Sequence, residues 1–155
     1  MGKETNQEDQ EQKARSAALR LLARREHSRL ELALKLRQRK IESDVIEQVL
    51  DDYETEGWLS DERFADIYAR QRIDLGYGPL RILSDLQQRG IHETPACVRE
   101  MTDADWSDRA TLLREKRFGL GDIRDDWDEK ARQARFLARR GFSAEQVENA
   151  LEQRL

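Results

Sequence analysis

Apolar residues recur along this chain at helical rather than strand spacing. In the first part, Ala18, Leu19, Leu22 and Ala23 are related by steps of one, three and four positions, which places them on one face of a helix. Valine and isoleucine are sparse beside leucine, alanine, arginine, glutamate and glutamine, which are good helix formers. The pattern therefore predicts an all-α fold.

Serine, proline and glycine positions mark where these helices begin and end. Ser28-Arg29-Leu30-Glu31 and Ser143-Ala144-Glu145-Gln146 are capping boxes, which are typical of helix starts. Ser60 can cap a further helix, and Pro79 fits a first helical turn because its missing N–H would be unpaired there anyway. Gly90 indicates a helix end, since glycine adopts the left-handed conformation without steric penalty.

Three similar segments join a second helix to a third, at a period of about fifty residues that lies in the range of helical repeat proteins. They are Leu36-Arg37-Gln38-Arg39-Lys40-Ile41, Leu86-Gln87-Gln88-Arg89-Gly90-Ile91 and Leu137-Ala138-Arg139-Arg140-Gly141-Phe142. The first segment has Lys40 where the others have glycine, and a left-handed turn there would cost roughly 1 kcal/mol. The period predicts an elongated tandem array of three three-helix, helix-turn-helix-like repeats.

The repeats also predict the domain boundaries. Residues 1–13 are polar and rich in glutamine and glutamate, so they have nothing to bury and are predicted to form a disordered tail. The first three-helix unit is predicted to span residues 14–57, the central unit residues 58–103 and the third unit residues 104–155.

Composition narrows the classes of function that fit. The formal net charge of −4 excludes a strong global field that attracts nucleic acid, although helices can still segregate a basic face. The lone Cys97 excludes an internal disulfide framework and suits a reducing cytosol. No apolar run approaches the length of a membrane span. We therefore expect a cytoplasmic monomer that does not bind membranes.

Residues that could carry catalysis or bind a cofactor are not grouped along the sequence. His27 and His92 lie far apart at helix junctions, where a surface or capping role is expected. The segment Gly76-Tyr77-Gly78-Pro79 lacks the Gly-Lys-Ser/Thr ending of a phosphate loop and follows no predicted strand. Asp and Glu alternate with Arg and Lys at the spacings of solvated helix faces. We expect no catalytic site, no cofactor and no metal site.

The arginines are more informative, because they recur near the ends of first and second helices. In a stacked array, equivalent positions lie along one surface, which could face an acidic partner or phosphates. The alternative is that each arginine stabilises the negative end of its own helix, by about 0.3–1 kcal/mol. Tyr77, between two glycines, is either an exposed contact or an ordinary turn residue. The residues predicted to bind a partner are Arg24, Arg25, Arg37, Arg39, Arg70, Arg72, Tyr77, Arg81, Arg89, Arg132, Arg135, Arg139 and Arg140.

Four segments of the chain form a recognisable series. They are Gly57-Trp58-Leu59-Ser60-Asp61-Glu62-Arg63-Phe64-Ala65, Gly78-Pro79-Leu80-Arg81-Ile82, Leu86 to Ile91, and Phe136-Leu137-Ala138-Arg139-Arg140-Gly141-Phe142-Ser143. These segments resemble the RecX family, the bacterial regulators of the RecA recombinase. Their order and spacing are more specific than any one of them, and together they extend the resemblance from Arg15 onward.

The resemblance implies a regulatory interaction protein with the same repeat architecture. Its expected partner is RecA, bound in the groove of the RecA–single-stranded DNA filament, where it would hinder filament extension, strand exchange and ATP turnover. This would damp homologous recombination and the SOS response in DNA repair, by capping or by disassembly of the filament. The surfaces of RecA that would be contacted stay open.

The second hypothesis is direct DNA binding, in which the third helix of a helix-turn-helix-like unit reads the duplex. Acidic residues that would repel phosphates count against it; they are Glu47, Asp51, Asp52, Glu54 and Glu56 in the first unit and Glu145, Glu148 and Glu152 in the third. A weak, salt-sensitive affinity for DNA through the arginines remains compatible with the first hypothesis, a regulator that binds RecA.

Overall fold

The computed structural model of the protein describes residues 3–153, and within this range the chain forms nine α-helices and no strand. The predicted all-α class is therefore confirmed. The helices are α1 (Lys3–Arg24), α2 (Arg29–Gln38), α3 (Ser43–Thr55), α4 (Asp61–Asp74), α5 (Pro79–Gln88), α6 (Ala96–Arg99), α7 (Asp103–Phe118), α8 (Trp127–Arg139) and α9 (Ala144–Glu152).

The first helix begins much earlier than the sequence predicts. Residues 1–13 were expected to be disordered, yet α1 already starts at Lys3; Met1 and Gly2 lie outside the described residues. Polar contacts with the turn after α2 hold this segment in place. The Gln10 side-chain oxygen accepts the Glu42 N–H at 3.0 Å, and the Lys13 ammonium donates to the Arg39 carbonyl at 3.2 Å. Residues 10 and 13 of α1 are thus joined to this turn by polar rather than apolar contacts.

The predicted helix starts are confirmed by their hydrogen bonds. Capping boxes open α2 at Ser28 and α9 at Ser143, as expected. At the start of α8, the Asp126 side chain likewise accepts the N–H of Glu129. The Ser60 hydroxyl accepts the N–H of Arg63, 3.1 Å away, at the start of α4. Local sequence chemistry therefore determines where these helices begin.

The three equivalent helix-end turns all adopt the left-handed conformation. Lys40 has φ 62°, Gly90 has φ 80° and Gly141 has φ 102°. The leucines that precede these turns, Leu36, Leu86 and Leu137, are fully or almost fully buried. Lys40 thus occupies the strained position that the sequence comparison predicts for it.

The described chain forms two compact units. The amino-terminal unit runs to Ala65 and includes Gln88–Ile91, and the carboxy-terminal unit contains Asp66–Gln87 and the residues from His92 onward. Helix α4 contributes to both units. The predicted division into residues 14–57, 58–103 and 104–155, and the elongated arrangement of the three repeats, stay predictions.

The amino-terminal unit is built on a continuous apolar core. Leu32 and Leu36 of α2 and Ile46 and Leu50 of α3 are buried together with the alanine face of α1. Outside this core, Arg29 forms ion pairs with three carboxylates on α3; they belong to Glu47, Asp51 and Glu54. The acidic face of α3 therefore binds an arginine of α2.

The carboxy-terminal unit encloses a charged side chain as well as an apolar core. The apolar core of this unit includes Trp106, Leu137 and Phe142. Arg114 of α7 is also fully buried, with 0% of its surface exposed. Its guanidinium donates to the side chain of Gln133 at 2.7 Å and to the backbone carbonyls of Gly121, Ala150 and Gln153 at 2.9, 3.1 and 2.6 Å. Burial lowers the pKa of Arg114 from its ordinary value. Arg114 thus joins α7 to α8, α9 and the intervening loop.

Candidate partner-binding surface

Tyr77 lies in a turn between α4 and α5 that contacts the turn after α8. Its own N–H donates to the Arg72 carbonyl at 2.9 Å. The next N–H, that of Gly78, donates to the Arg140 carbonyl at 2.7 Å, and the N–H of Leu80 donates to the Gly141 carbonyl at 2.9 Å. The free donors at the start of α5 are therefore satisfied by the carbonyls at the end of α8.

This junction requires glycine on both of its sides. A Cβ atom added at Gly78 would lie 2.5 Å from the carbonyl carbon of Gly141. A Cβ atom added at Gly141 would lie 2.5 Å from the backbone nitrogen of Arg81. Both distances are far shorter than van der Waals contact, so only residues without a Cβ allow the two backbones to approach in this way.

Three guanidinium groups surround the ring of Tyr77. The central carbons of Arg72, Arg81 and Arg140 lie 5.4, 5.4 and 5.0 Å from its centroid, within the range of cation–π interaction. Arg72 comes from α4, Arg81 from α5 and Arg140 from the end of α8. We call these four residues the arginine–tyrosine cluster.

The three arginines of the arginine–tyrosine cluster differ in their ionic partners. Arg81 pairs with Asp85 at 3.5 Å, and Asp85 also accepts a hydrogen bond from the Tyr68 hydroxyl at 3.2 Å. Within residues 3–153, neither Arg72 nor Arg140 has a carboxylate oxygen within the 4 Å of an ion pair. The cluster therefore carries two guanidinium groups that form no ion pair with a described carboxylate.

A second group of rings and guanidinium groups continues from Arg140. The rings of Phe118 and Phe136 meet edge to face, with centroids 5.3 Å apart. Arg140 and Arg117 lie 5.3 and 5.2 Å from the centroid of Phe136, and Arg132 lies 4.9 Å from that of Phe118. Arg132 also pairs with Glu129 at 2.9 Å. Cationic groups therefore cover faces of all three rings, including that of Tyr77.

The other predicted contact residues are not part of this cluster. Arg70 pairs with Asp66 on its own helix at 2.9 Å, and Arg25 and Arg89 both approach Glu31, at 3.4 and 3.9 Å. The remaining ones, all exposed, are Arg24, Arg37, Arg39, Arg135 and Arg139. The structure thus gathers Arg72, Tyr77, Arg81 and Arg140, and the single surface along all three repeats stays a prediction.

Arg117 was not among the predicted residues, although its guanidinium covers Phe136. Arg114 was missed as well, and here the sequence carries a signal. Trp106, Ala110 and Arg114 follow one another at steps of four, so Arg114 lies on the buried face of α7.

His27 is another departure from the predictions, which gave it a surface or capping role. It is 1% exposed in the amino-terminal unit. Its Nδ1 lies 3.0 Å from the Arg25 carbonyl and its Nε2 3.2 Å from the Lys35 ammonium, so Nδ1 is assigned as donor and Nε2 as acceptor. Burial lowers the pKa of His27, and the charges of Arg25 and Lys35 act in the same direction.

The third helices offer little for reading a DNA groove. Helix α6 spans only Ala96–Arg99, a single turn. Helix α3 uses its carboxylates to bind Arg29, and α9 has no basic residue in its last turn. In the part of the chain that the structure describes, no helix is long and apolar enough to cross a membrane, and no group of three or more His, Cys, Asp or Glu side chains could hold a metal ion.

The sequence of this chain is similar to those of proteins named regulatory protein RecX. The chain is 47% identical to the regulatory protein RecX of Halorhodospira halophila over 137 residues, which cover 88% of this chain and 84% of that protein. It is 42% identical to the regulatory protein RecX of Pseudomonas entomophila over 135 residues, covering 86% of each chain. These relatives are named as regulatory proteins rather than enzymes.

Solved structures and family models agree with these relatives. The crystal structure of RecX from Lactobacillus salivarius matches with a TM-score of 0.74 at 22% identity, over 93% of this chain and 96% of that chain. The models of the first, second and third three-helix domains of RecX match residues 14–52, 60–94 and 103–151. The helices of this chain thus form three three-helix domains, and the chain belongs to the RecX family.

Proposed function

We propose that this protein regulates RecA by binding the RecA–single-stranded DNA filament in its helical groove. Bound there, it inhibits filament extension, strand exchange and ATP hydrolysis, and so damps recombination and the SOS response. Membership of the RecX family supports RecA as the partner. The observation that supports a binding surface on this chain is the arginine–tyrosine cluster, where Arg72 and Arg140 carry charges that no described carboxylate pairs.

The arginine–tyrosine cluster suits an acidic protein surface. Stacking on Tyr77 restricts the guanidinium groups before a partner arrives, which lowers the entropic cost of ordering them at an interface. Arginine and tyrosine are also the residue types that most often carry the binding energy of protein interfaces. Several weak contacts distributed over a repeat array would add up on a filament, because neighbouring RecA protomers present the same surface repeatedly.

Direct DNA binding is the second candidate function, and the same arginines are the observation that favours it. Phosphates would bind unpaired guanidinium groups, with an affinity that falls steeply as salt increases. Proteins that hold single strands tightly also stack bases on open aromatic rings. Here guanidinium groups cover faces of Tyr77, Phe118 and Phe136. We therefore propose DNA contact only as a weak, salt-sensitive addition to RecA binding.

Charge reversal of Arg72 and Arg140 tests the proposal directly. Arg72→Glu and Arg140→Glu should each weaken inhibition of RecA's DNA-dependent ATP hydrolysis, because like charges would meet across the contact. Arg20→Glu is the matched control, since Arg20 is an exposed arginine of α1 that is not part of the cluster. Arg81 and Arg89 are poorer choices because they pair with Asp85 and Glu31.

The assay compares binding to RecA filaments with binding to bare single-stranded DNA at low and moderate salt. Filament binding that persists at moderate salt, and that Arg72→Glu and Arg140→Glu reduce more than Arg20→Glu does, supports the proposal. No inhibition of RecA by the unmutated protein would exclude RecA as the partner. Direct DNA binding would then be the better hypothesis.

We also propose that the protein acts as a cytoplasmic monomer without catalytic activity.

A further inference from the structure

A groove in the carboxy-terminal unit adjoins the arginine–tyrosine cluster. It lies between the end of α4 and the middle of α7, and its volume is about 540 Å³. The Leu75-Gly76 segment forms one side, and Leu112 and Leu113 form the other. A Cβ atom added at Gly76 would lie 3.1 Å from Cδ1 of Leu113, so the turn lies directly against α7.

The side chains that line this groove are apolar but open to solvent. Leu75 is 61% exposed and Leu112 57% exposed, among the most exposed large apolar residues of the described chain. Two such leucines in one concave site differ from scattered surface leucines, which need no explanation. Their placement is the arrangement expected for a site that receives an apolar side chain of a partner.

The groove and the cluster form one continuous surface. A guanidinium nitrogen of Arg140 donates to the Leu75 carbonyl at 3.4 Å, so the residue that lines the groove also contacts the cluster. Gly76 alone separates Leu75 from Tyr77 in the sequence. A partner that pairs with Arg140 would therefore meet the groove at the same time.

The charges around the groove indicate the chemistry of that partner. Arg109 and Lys116 of α7 lie on its rim with Asp74 and Glu115. Within residues 3–153, neither Arg109 nor Lys116 has a carboxylate oxygen within the 4 Å of an ion pair. With Arg72 and Arg140 from the cluster, cations outnumber anions on this surface of a chain whose formal net charge is −4.

We infer that this groove is the apolar anchor point of the RecA interface: it takes a large apolar side chain that projects from an acidic protein surface. This inference rests on the proposed function and adds to it the part of the contact that does not depend on charge. The arginines would orient the acidic surface, and burial of the anchor in the groove would slow dissociation. Nucleic acid fits the groove less well, because its lining contains no aromatic ring on which a base could stack.

The test removes the apolar side chains and leaves the charges in place. The variant Leu75→Ala/Leu112→Ala shortens the two most exposed apolar side chains of the groove without changing any charge. The matched control is Leu19→Ala/Leu34→Ala, which shortens two leucines of similar exposure, 48% and 46%, on α1 and α2. Binding of each protein to RecA filaments and to bare single-stranded DNA is measured at low and moderate salt, with helix content followed by circular dichroism.

The groove variant should bind RecA filaments about tenfold more weakly or worse, as expected when an anchor contact is lost, while the control binds like the unmutated protein. Unlike the effect of Arg72→Glu, this loss should persist at moderate salt. A groove variant that binds filaments as well as the control overturns the inference and leaves the proposed function standing. An equal loss on bare DNA also overturns it, because the groove would then not discriminate protein from nucleic acid.

A second pair of substitutions distinguishes loss of the groove contact from loss of binding through misfolding. Leu112→Glu places a carboxylate in the groove, and Leu34→Glu is its control on α2. If both keep the helix content of the unmutated protein, weaker filament binding by Leu112→Glu alone supports the inference, and equal binding overturns it. An unmutated protein that fails to bind RecA overturns the proposed function and, with it, this inference.

Discussion

Replacement of Lys40 by glycine should stabilise the protein, because Lys40 occupies a left-handed turn. Lys40 has a φ of 62°, and at the two equivalent turns the residue with a positive φ is a glycine, Gly90 or Gly141. The Lys40 side chain is exposed, and its backbone N–H donates to the Arg37 carbonyl at 2.9 Å. Glycine keeps that backbone hydrogen bond, so the substitution changes mainly the conformational energy of one residue.

The magnitude follows from two opposing terms. A residue with a Cβ in the left-handed conformation costs roughly 1–2 kcal/mol relative to glycine. Glycine makes the unfolded chain more flexible, which offsets about 0.4–1 kcal/mol of that gain. The net expectation is an increase of about 0.5–1 kcal/mol in the free energy of unfolding of the amino-terminal unit.

Replacement of glycine by alanine at two other left-handed positions should have the opposite effect and lower the free energy of unfolding. Gly57 has φ 82° and open space where a Cβ would be, so Gly57→Ala should destabilise by conformational strain alone, about 0.5–1 kcal/mol. A Cβ at Gly90 would lie 2.9 Å from the Leu30 Cβ, and Gly90→Ala should cost about 1–3 kcal/mol more through overpacking.

Amide hydrogen exchange of α2 and α3, combined with urea unfolding, measures these changes. Protection of both helices should increase in Lys40→Gly and decrease in Gly57→Ala. If Lys40→Gly lowers protection, or if Gly57→Ala has no effect, the argument from backbone strain is refuted for this protein.

Four further predictions follow from the core, from two buried polar residues and from the repeat pattern. Leu86→Ala and Leu137→Ala should each cost about 2–5 kcal/mol by leaving a cavity, and hydrogen exchange that increases uniformly along the chain would contradict the expected local damage. Arg114→Met should destabilise the carboxy-terminal unit by about 3 kcal/mol or more, because buried carbonyls lose a charged donor, with Arg114→Lys intermediate in urea unfolding. The pKa of His27 is lower in the folded than in the unfolded protein, so neutral His27 should stabilise the protein above pH 6.5. This contribution should be lost as the pH falls through the folded-state pKa. A His27→Gln variant whose urea midpoint depends on pH as strongly as that of the unmutated protein would contradict this. Small-angle scattering should give an elongated particle, and the radius of a compact sphere of this mass would exclude an extended array.

Helix starts and turns could be predicted because they depend on residues close in sequence. A capping serine contacts an N–H three residues away, as Ser28 and Ser143 do here, and a left-handed turn depends on its own residue. The start of α1 could not be predicted in this way. The contacts that this part of α1 makes, through Gln10 and Lys13, reach partners that lie 32 and 26 positions further along the chain.

The candidate surface could be predicted only in part, for the same reason. The recurrence of arginine and the position of Tyr77 between glycines were visible in the sequence. The selection of Arg72, Arg81 and Arg140 out of twelve candidate arginines depends on how the ends of α4, α5 and α8 meet. His27 is buried although its position at a helix junction indicates exposure, because burial depends on the packing of the whole unit and not on neighbouring residues alone.

The contact between Gly78 and Gly141 has a consequence for the exchange of domains between relatives. The carbonyls at the end of α8 satisfy the first donors of α5, and both backbones must lack a side chain to reach one another. The two glycines are therefore required together, although 62 residues lie between them in the sequence. A chimaera that takes its third domain from a relative should fold well only if the donor supplies a glycine at the position of Gly141. Elsewhere along the same boundary, ordinary side-chain substitutions should be tolerated more readily.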